Sequence, residues 1–240
     1  MSTVLLTGAN RGLGLEFVRQ YAADGWDVLA TCRHPEKADA LNRYAAEHPT
    51  VKVASLDVTE STSIEALAER WRDIPVDVLI NNAGVLSGGA STGPATQTDP
   101  GQEWGGLDAE AWVRAFRANT VGPALVTEAF LPNVRKSQGR KIVMVSTSMS
   151  SLTRGQPGFI AYRSTKAALN MVMRTLAAEV TSEGLVVVSL HPGWVQTDMG
   201  GMEAELRPEE SVRRLRRVIE GLTLADSGAF LDNQGGVMPW

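Results

Sequence analysis

Short apolar runs alternate with longer amphipathic stretches along almost the whole chain. Thr3–Thr7, Asp27–Thr31, Val51–Leu56, Val76–Ile80, Lys141–Val145 and Leu185–Leu190 read as strands. They are runs rich in Val, Ile and Leu, as strands buried on both faces must be. Between them, apolar residues recur at helical spacing near 12–24, 36–47, 60–73, 108–134 and 160–182. A further helix starts at Pro208 with Glu209 and Glu210 in its first turn, and Val212, Leu215, Val218, Ile219 and Leu222 form its apolar stripe. Its arginines 213, 214, 216 and 217 fall mainly on the other faces and read as solvated charge. Strand and helix repeated in this way predict a Rossmann-type, doubly wound α/β domain. Its parallel sheet should have about seven strands, with right-handed crossovers and helices on both faces.

No linker, repeat or composition break divides residues 1–240, so one domain is expected. A Gly, Ser, Thr and Pro-rich stretch at 86–106 predicts an irregular loop, either functional or a plain surface insertion. Residues 198–222 are expected to form a lid and helix on the substrate side. With 43% hydrophobic residues the chain carries ample material for a buried sheet. Its net charge of −4 gives no basic field for nucleic acid or acidic membranes. Cys32 is the single cysteine, which excludes an internal disulfide and a cysteine-rich metal site; no metal is expected. No secretory signal opens the chain and no apolar run nears the roughly 20 residues of a membrane helix, so a cytoplasmic protein is expected.

The first strand hands over to the first helix through Thr7-Gly-Ala-Asn-Arg-Gly-Leu-Gly14. Gly8 suits the tight turn, Gly12 the close approach of a pyrophosphate, and Gly14 the packing of helix on strand. The spacing is Gly-x-x-x-Gly-x-Gly, not the commoner Gly-x-Gly-x-x-Gly. Further on, Tyr162 and Lys166 are four apart and share a helix face. A neighbouring ammonium would lower the phenol pKa from near 10 toward a useful acid or base. Ser146, Thr147 and Ser148 end a strand at the rim where ligands gather in such sheets, as do Asn81-Asn-Ala-Gly84 and His191-Pro-Gly-Trp-Val-Gln-Thr197. Asn119 stands among apolar residues of its helix, where a polar group needs a reason.

In this order and spacing, these motifs resemble the classical short-chain dehydrogenase/reductase family over essentially the whole chain. Tyr162–Asn170, His191–Gly200 and Met238-Pro-Trp240 look like its C-factor and sniffer-type carbonyl reductase branch. The resemblance implies a catalytic set of Asn119, Tyr162, Lys166 and a hydroxyl. The family's usual serine position is Thr147 here, and counting back from Tyr162 with a loop insertion would make it Ser148 instead. It also implies a nucleotide site of Gly8, Asn10, Arg11, Gly12, Leu13, Gly14, Asp57, Val58, Asn82, Ala83 and Gly84, with Tyr162, Lys166, Pro192, Gly193, Val195 and Thr197 at the nicotinamide end.

NAD-preferring members carry an acid at the end of the second strand; here Cys32 stands there, followed by Arg33. Arg33 and Arg11 are candidates to clamp a 2′-phosphate, so NADP(H) is favoured over NAD(H). The implied activity is NADPH-dependent reduction of a ketone or aldehyde with Tyr162 as proton donor. Two alternatives are a nucleotide-binding signalling protein with little turnover, and alcohol oxidation by the same residues in reverse. The expected partner is a small carbonyl or alcohol substrate, not nucleic acid or membrane. A homodimer or homotetramer is compatible with the family. Trp194, Met199 and Met202 suggest an apolar substrate side.

Overall fold

The computed structural model describes residues 1–86 and 102–240. Seven strands form one parallel sheet in the order β3-β2-β1-β4-β5-β6-β7. They are β1 (Thr3–Thr7), β2 (Asp27–Cys32), β3 (Val51–Ser55), β4 (Val78–Asn81), β5 (Lys141–Val145), β6 (Val186–His191) and β7 (Phe230–Asp232). The strand order reverses between β1 and β4, and such a switch point opens a crevice beyond the carboxyl ends of the strands. β7 was not located by the hydrophobic pattern. It is three residues long, too short to display a period, and is held by pairing Ser189, Leu190 and His191 of β6 with Phe230, Leu231 and Asp232.

Alternate residues of each strand feed two cores, because side chains alternate across a pleated sheet. Val4, Leu6, Val78 and Ile80 pack with α1 (Gly12–Ala23), α2 (Asp39–Glu47) and α7 (Pro208–Gly221). Leu5, Leu79, Ile142 and Met144 pack on the other face with α3 (Ser61–Arg70), α5 (Gly122–Arg135) and α6 (Ile160–Val180). Residues 87–101, most of the expected loop, lie outside the described residues. Among the described residues, no helix is long and apolar enough to cross a membrane.

The helix expected over 108–134 is divided. α4 (Ala109–Phe116) runs into a π-helical turn at Arg117–Val121, and α5 follows it. A π-turn inserts one residue into the helical register and rotates its side chains, a distortion found often at functional sites. Here it turns Asn119 fully inward.

Candidate active site

The glycine turn and the end of β4 are built as one unit. Gly8 and Gly12 adopt φ of 69° and 54°, the left-handed region that glycine enters without cost. The Thr7 hydroxyl accepts from the backbone N–H groups of Asn82 and Ala83 at 3.1 and 3.0 Å. In return, Asn82 Nδ2 donates to the carbonyls of Thr7 and Gly8 at 2.9 and 3.1 Å. A Cβ on Gly14 would overlap the Gly8 carbonyl oxygen, so bare backbone forms the cradle. α1 then starts with no side-chain cap and no acid in its first turn, leaving its N-terminal N–H groups available for an anion. These features fit a dinucleotide pyrophosphate.

The cleft over this turn is lined by nearly every residue assigned to the nucleotide. From the first half of the chain these are residues 8 and 10–14, Arg33, Asp57, Val58 and 82–84; from the second, Tyr162, Lys166, Pro192 and Thr197. Gly193 and Val195 stand behind the lining. Gly193, at φ 85°, packs against Leu206 and Asn233, and buried Val195 pairs with Leu206. They shape the segment after β6. Of the apolar residues expected on the substrate side, Met199 lines the cleft, while Trp194 and Met202 are 52% and 79% exposed.

Arg11 meets a partner that the sequence did not suggest. Its Nη1 bonds Asp198 Oδ2 at 2.7 Å, and both side chains are 61% exposed. No local signal links two residues so far apart in the chain. Arg33 is exposed at the end of β2, beside Cys32 and His34 in the cleft lining. Cys32, not an acid, ends that strand, and the nearby Glu36 carboxylate pairs with His34 at 3.2 Å.

At the other end of the cleft four predicted residues converge. Asn119 Oδ1 accepts from Val85 N–H at 2.8 Å, and its Nδ2 donates to the Val85 carbonyl and the Thr165 hydroxyl at 2.7 and 3.0 Å. Gly84 lies between Asn119 and Lys166: a Cβ there would stand 3.1 Å from Asn119 Oδ1 and 3.5 Å from Lys166 Nζ. Lys166 Nζ donates to the Val145 carbonyl at 2.8 Å, and burial lowers its pKa to about 8. Burial also pushes the Tyr162 phenol up to about 12, against the pull of the Thr147 hydroxyl hydrogen-bonded to it. The sequence reading anticipated a lowered phenol. Desolvation wins instead, and Lys166 is not among the groups that offset it.

Of the two hydroxyl candidates, Thr147 is the one that meets Tyr162. Thr147 lies two residues past β5 in extended backbone, with its side chain beside Tyr162 and accepting from Met149 N–H at 3.2 Å. Ser148 begins the following 3₁₀ turn. Gln102, unremarked in the sequence, reaches the start of α6: its carbonyl accepts from Ile160 N–H at 3.1 Å and its Nε2 donates to Leu86 at 2.7 Å.

His191, at the end of β6, has its Nδ1 buried without a partner among the described residues. Burial lowers its pKa from 6.5 to about 4, with Asp232 opposing. A base with a depressed folded-state pKa is protonated first in the unfolded chain, so this group costs stability as pH falls from about 6.5 toward about 4. The expected loss is at most about 3.5 kcal/mol, at ~1.4 kcal/mol per pKa unit. Urea unfolding of the wild type and His191→Gln between pH 7 and 4 measures it. The variant should lose less stability on acidification, and equal losses would remove the attribution.

The family model described as short chain dehydrogenase matches residues 2–207. The C-signal protein of Myxococcus xanthus is 44% identical over 167 residues, covering 69% of this chain and 93% of that protein. Among solved structures, NADPH-bound carbonyl reductase from chicken fatty liver is 34% identical with a TM-score of 0.87, over 100% of this chain and 99% of that one. Carbonyl reductase Sniffer of Drosophila melanogaster is 29% identical with a TM-score of 0.86, over the full length of both chains.

Proposed function

Because this chain belongs to the short-chain dehydrogenase family, we propose that this oxidoreductase is an NADPH-dependent carbonyl reductase acting on a ketone or aldehyde. The observation that carries the proposal is one cleft lined by the glycine cradle at one end and by Tyr162 and Lys166 at the other, with Thr147 beside Tyr162 and Asn119 buried behind Gly84. NADPH, when bound, supplies the hydride, and the protein contributes position and charge. The glycine turn and the uncapped end of α1 hold the pyrophosphate, and Arg33 holds the 2′-phosphate. Its preference for NADPH follows from the missing acid at the end of β2, where Cys32 stands. The bound nucleotide of the chicken liver carbonyl reductase supports the same choice.

Thr147 orients the substrate carbonyl by donating its hydroxyl proton. Its lone pair is already engaged by Met149 N–H, which favours that direction. Tyr162, fully protonated at neutral pH, gives its proton to the substrate oxygen as negative charge develops there. Lys166, one turn along the same helix face and held at the cleft by the Val145 carbonyl, brings its ammonium to the side of the cleft where the phenolate forms and so favours that charge. Asn119 clamps the Val85 backbone and donates to the Thr165 hydroxyl, so it ties the segment after β4 to the residue before Lys166.

Replacing Arg33 by alanine should raise the KM for NADPH by about tenfold or more, the worth of a charge-assisted hydrogen bond, and change the KM for NADH by less than about twofold. Steady-state kinetics with both nucleotides decides it, and equal effects would sink the 2′-phosphate assignment.

The similarity to C-signal favours a second reading, a nucleotide-binding signalling protein with little turnover. NADPH binding without oxidation across a panel of ketones, aldehydes and quinones would favour it over the reductase. Alcohol oxidation would use the same residues in reverse.

A further inference from the structure

Behind the four converging residues lies a buried hydrogen-bonded chain that the reaction scheme above does not use. Asn170 follows Lys166 by four residues on α6 and Tyr162 by eight, so it continues their helix face. It is 3% exposed, and its Nδ2 donates to Ser150 Oγ at 2.8 Å. The Ser150 hydroxyl donates its one proton to the Thr147 carbonyl oxygen at 2.6 Å, and Ser150 N–H reaches the same oxygen at 3.0 Å. Ser146 Oγ lies 3.4 Å from Ser150 Oγ on the other side. We propose that Asn170 is a positioning residue for the reaction: acting through Ser150, it locks the backbone of Thr147 and thereby aims the Thr147 hydroxyl at the phenol of Tyr162 and the substrate carbonyl.

The direction of each bond carries the argument. A hydroxyl rotates to suit its surroundings, with one proton to give and lone pairs to accept with. Asn170, donating into Ser150, occupies a lone pair and leaves the proton to the Thr147 carbonyl. Thr147 is extended, at φ −156° and ψ 150°, between the end of the strand and the start of the 3₁₀ turn. At this junction Ser150 holds the Thr147 carbonyl through two bonds. Threonine's branched Cβ then restricts the hydroxyl to few rotamers, so a fixed backbone fixes the donor. A small misplacement of such a donor costs turnover more than binding.

The inference rests on Thr147 as the orienting hydroxyl, and a double-mutant cycle separates the two claims. Turnover of a ketone is measured at saturating NADPH for Asn170→Leu, Thr147→Val and the double variant, with NADPH binding read by fluorescence. Asn170→Leu should lower kcat by about tenfold with unchanged NADPH affinity, and should cost less than about twofold more once Thr147 is valine. Ser150→Ala should reproduce both results and serves in the cycle if Asn170→Leu fails to fold. An equal loss in the two backgrounds would overturn the positioning role and leave Thr147 intact. Near wild-type turnover of Thr147→Val would overturn the reading of Thr147 and this inference with it.

Discussion

Tyr162→Phe is expected to lower NADPH-dependent ketone reduction by about 10³-fold, within the range that a positioned general acid contributes. The substitution removes one oxygen and keeps the ring, so the packing of a residue only 8% exposed is preserved. Burial holds the phenol near 12, and its proton is therefore present at any pH where the protein would be assayed. Phenylalanine offers the developing alkoxide no proton, and the Thr147 hydroxyl is left to bear that charge by hydrogen bonding alone. NADPH affinity should change by less than about threefold, because the glycine cradle and Arg33 are untouched. Single-turnover absorbance at the nicotinamide band, alongside equilibrium binding, checks both parts. Turnover within about tenfold of wild type, with binding intact, would remove Tyr162 as the proton donor.

Gly14→Ala should abolish nucleotide binding by a steric route. The added methyl would overlap the Gly8 carbonyl oxygen and stand 2.8 Å from Asn82 Nδ2. The nearest obstacle is backbone, and Asn82 already ties it to the end of β4. Relief requires α1 to move away from the turn, which separates the anion-binding N–H groups from the cradle. NADPH affinity should fall more than about 100-fold, with an overpacking cost of about 1–3 kcal/mol in stability. Gly221→Ala is the matched control: a Cβ at that end of α7 meets nothing within 4 Å. Calorimetric titration and thermal unfolding of both variants measure the contrast. If Gly14→Ala bound NADPH as the wild type does, the cradle would not be where the pyrophosphate sits.

Most of the fold could be read from local chemistry. Strands buried on both faces need continuous apolar runs, and helices on a sheet need an apolar stripe, so β1 to β6 and most helices announced themselves. β7 did not, because three residues at a sheet edge carry no period of their own. The π-turn was equally silent. Residues 108–134 are compatible with one continuous helix, and the extra residue that turns Asn119 inward leaves no trace in hydrophobic spacing. Thr147 and Ser148 could not be separated by counting, since the distinction depends on where β5 stops and the 3₁₀ turn starts.

The sequence by itself determined the class of ligand and the kinds of side chain available to act on it. Glycines at 8, 12 and 14, and tyrosine and lysine at helical spacing, are chemical necessities that local order displays. Tertiary structure decided what each group is in its setting. The phenol expected to be a lowered acid is a raised one, because packing under α6 removes water and desolvation outweighs any nearby charge. Arg11 bonds an aspartate 187 residues away, and Asn170 reaches Thr147 only through Ser150. Burial and long-range pairing are properties of the folded surroundings; no window of sequence contains both partners, so only the assembled sheet and helices could set them.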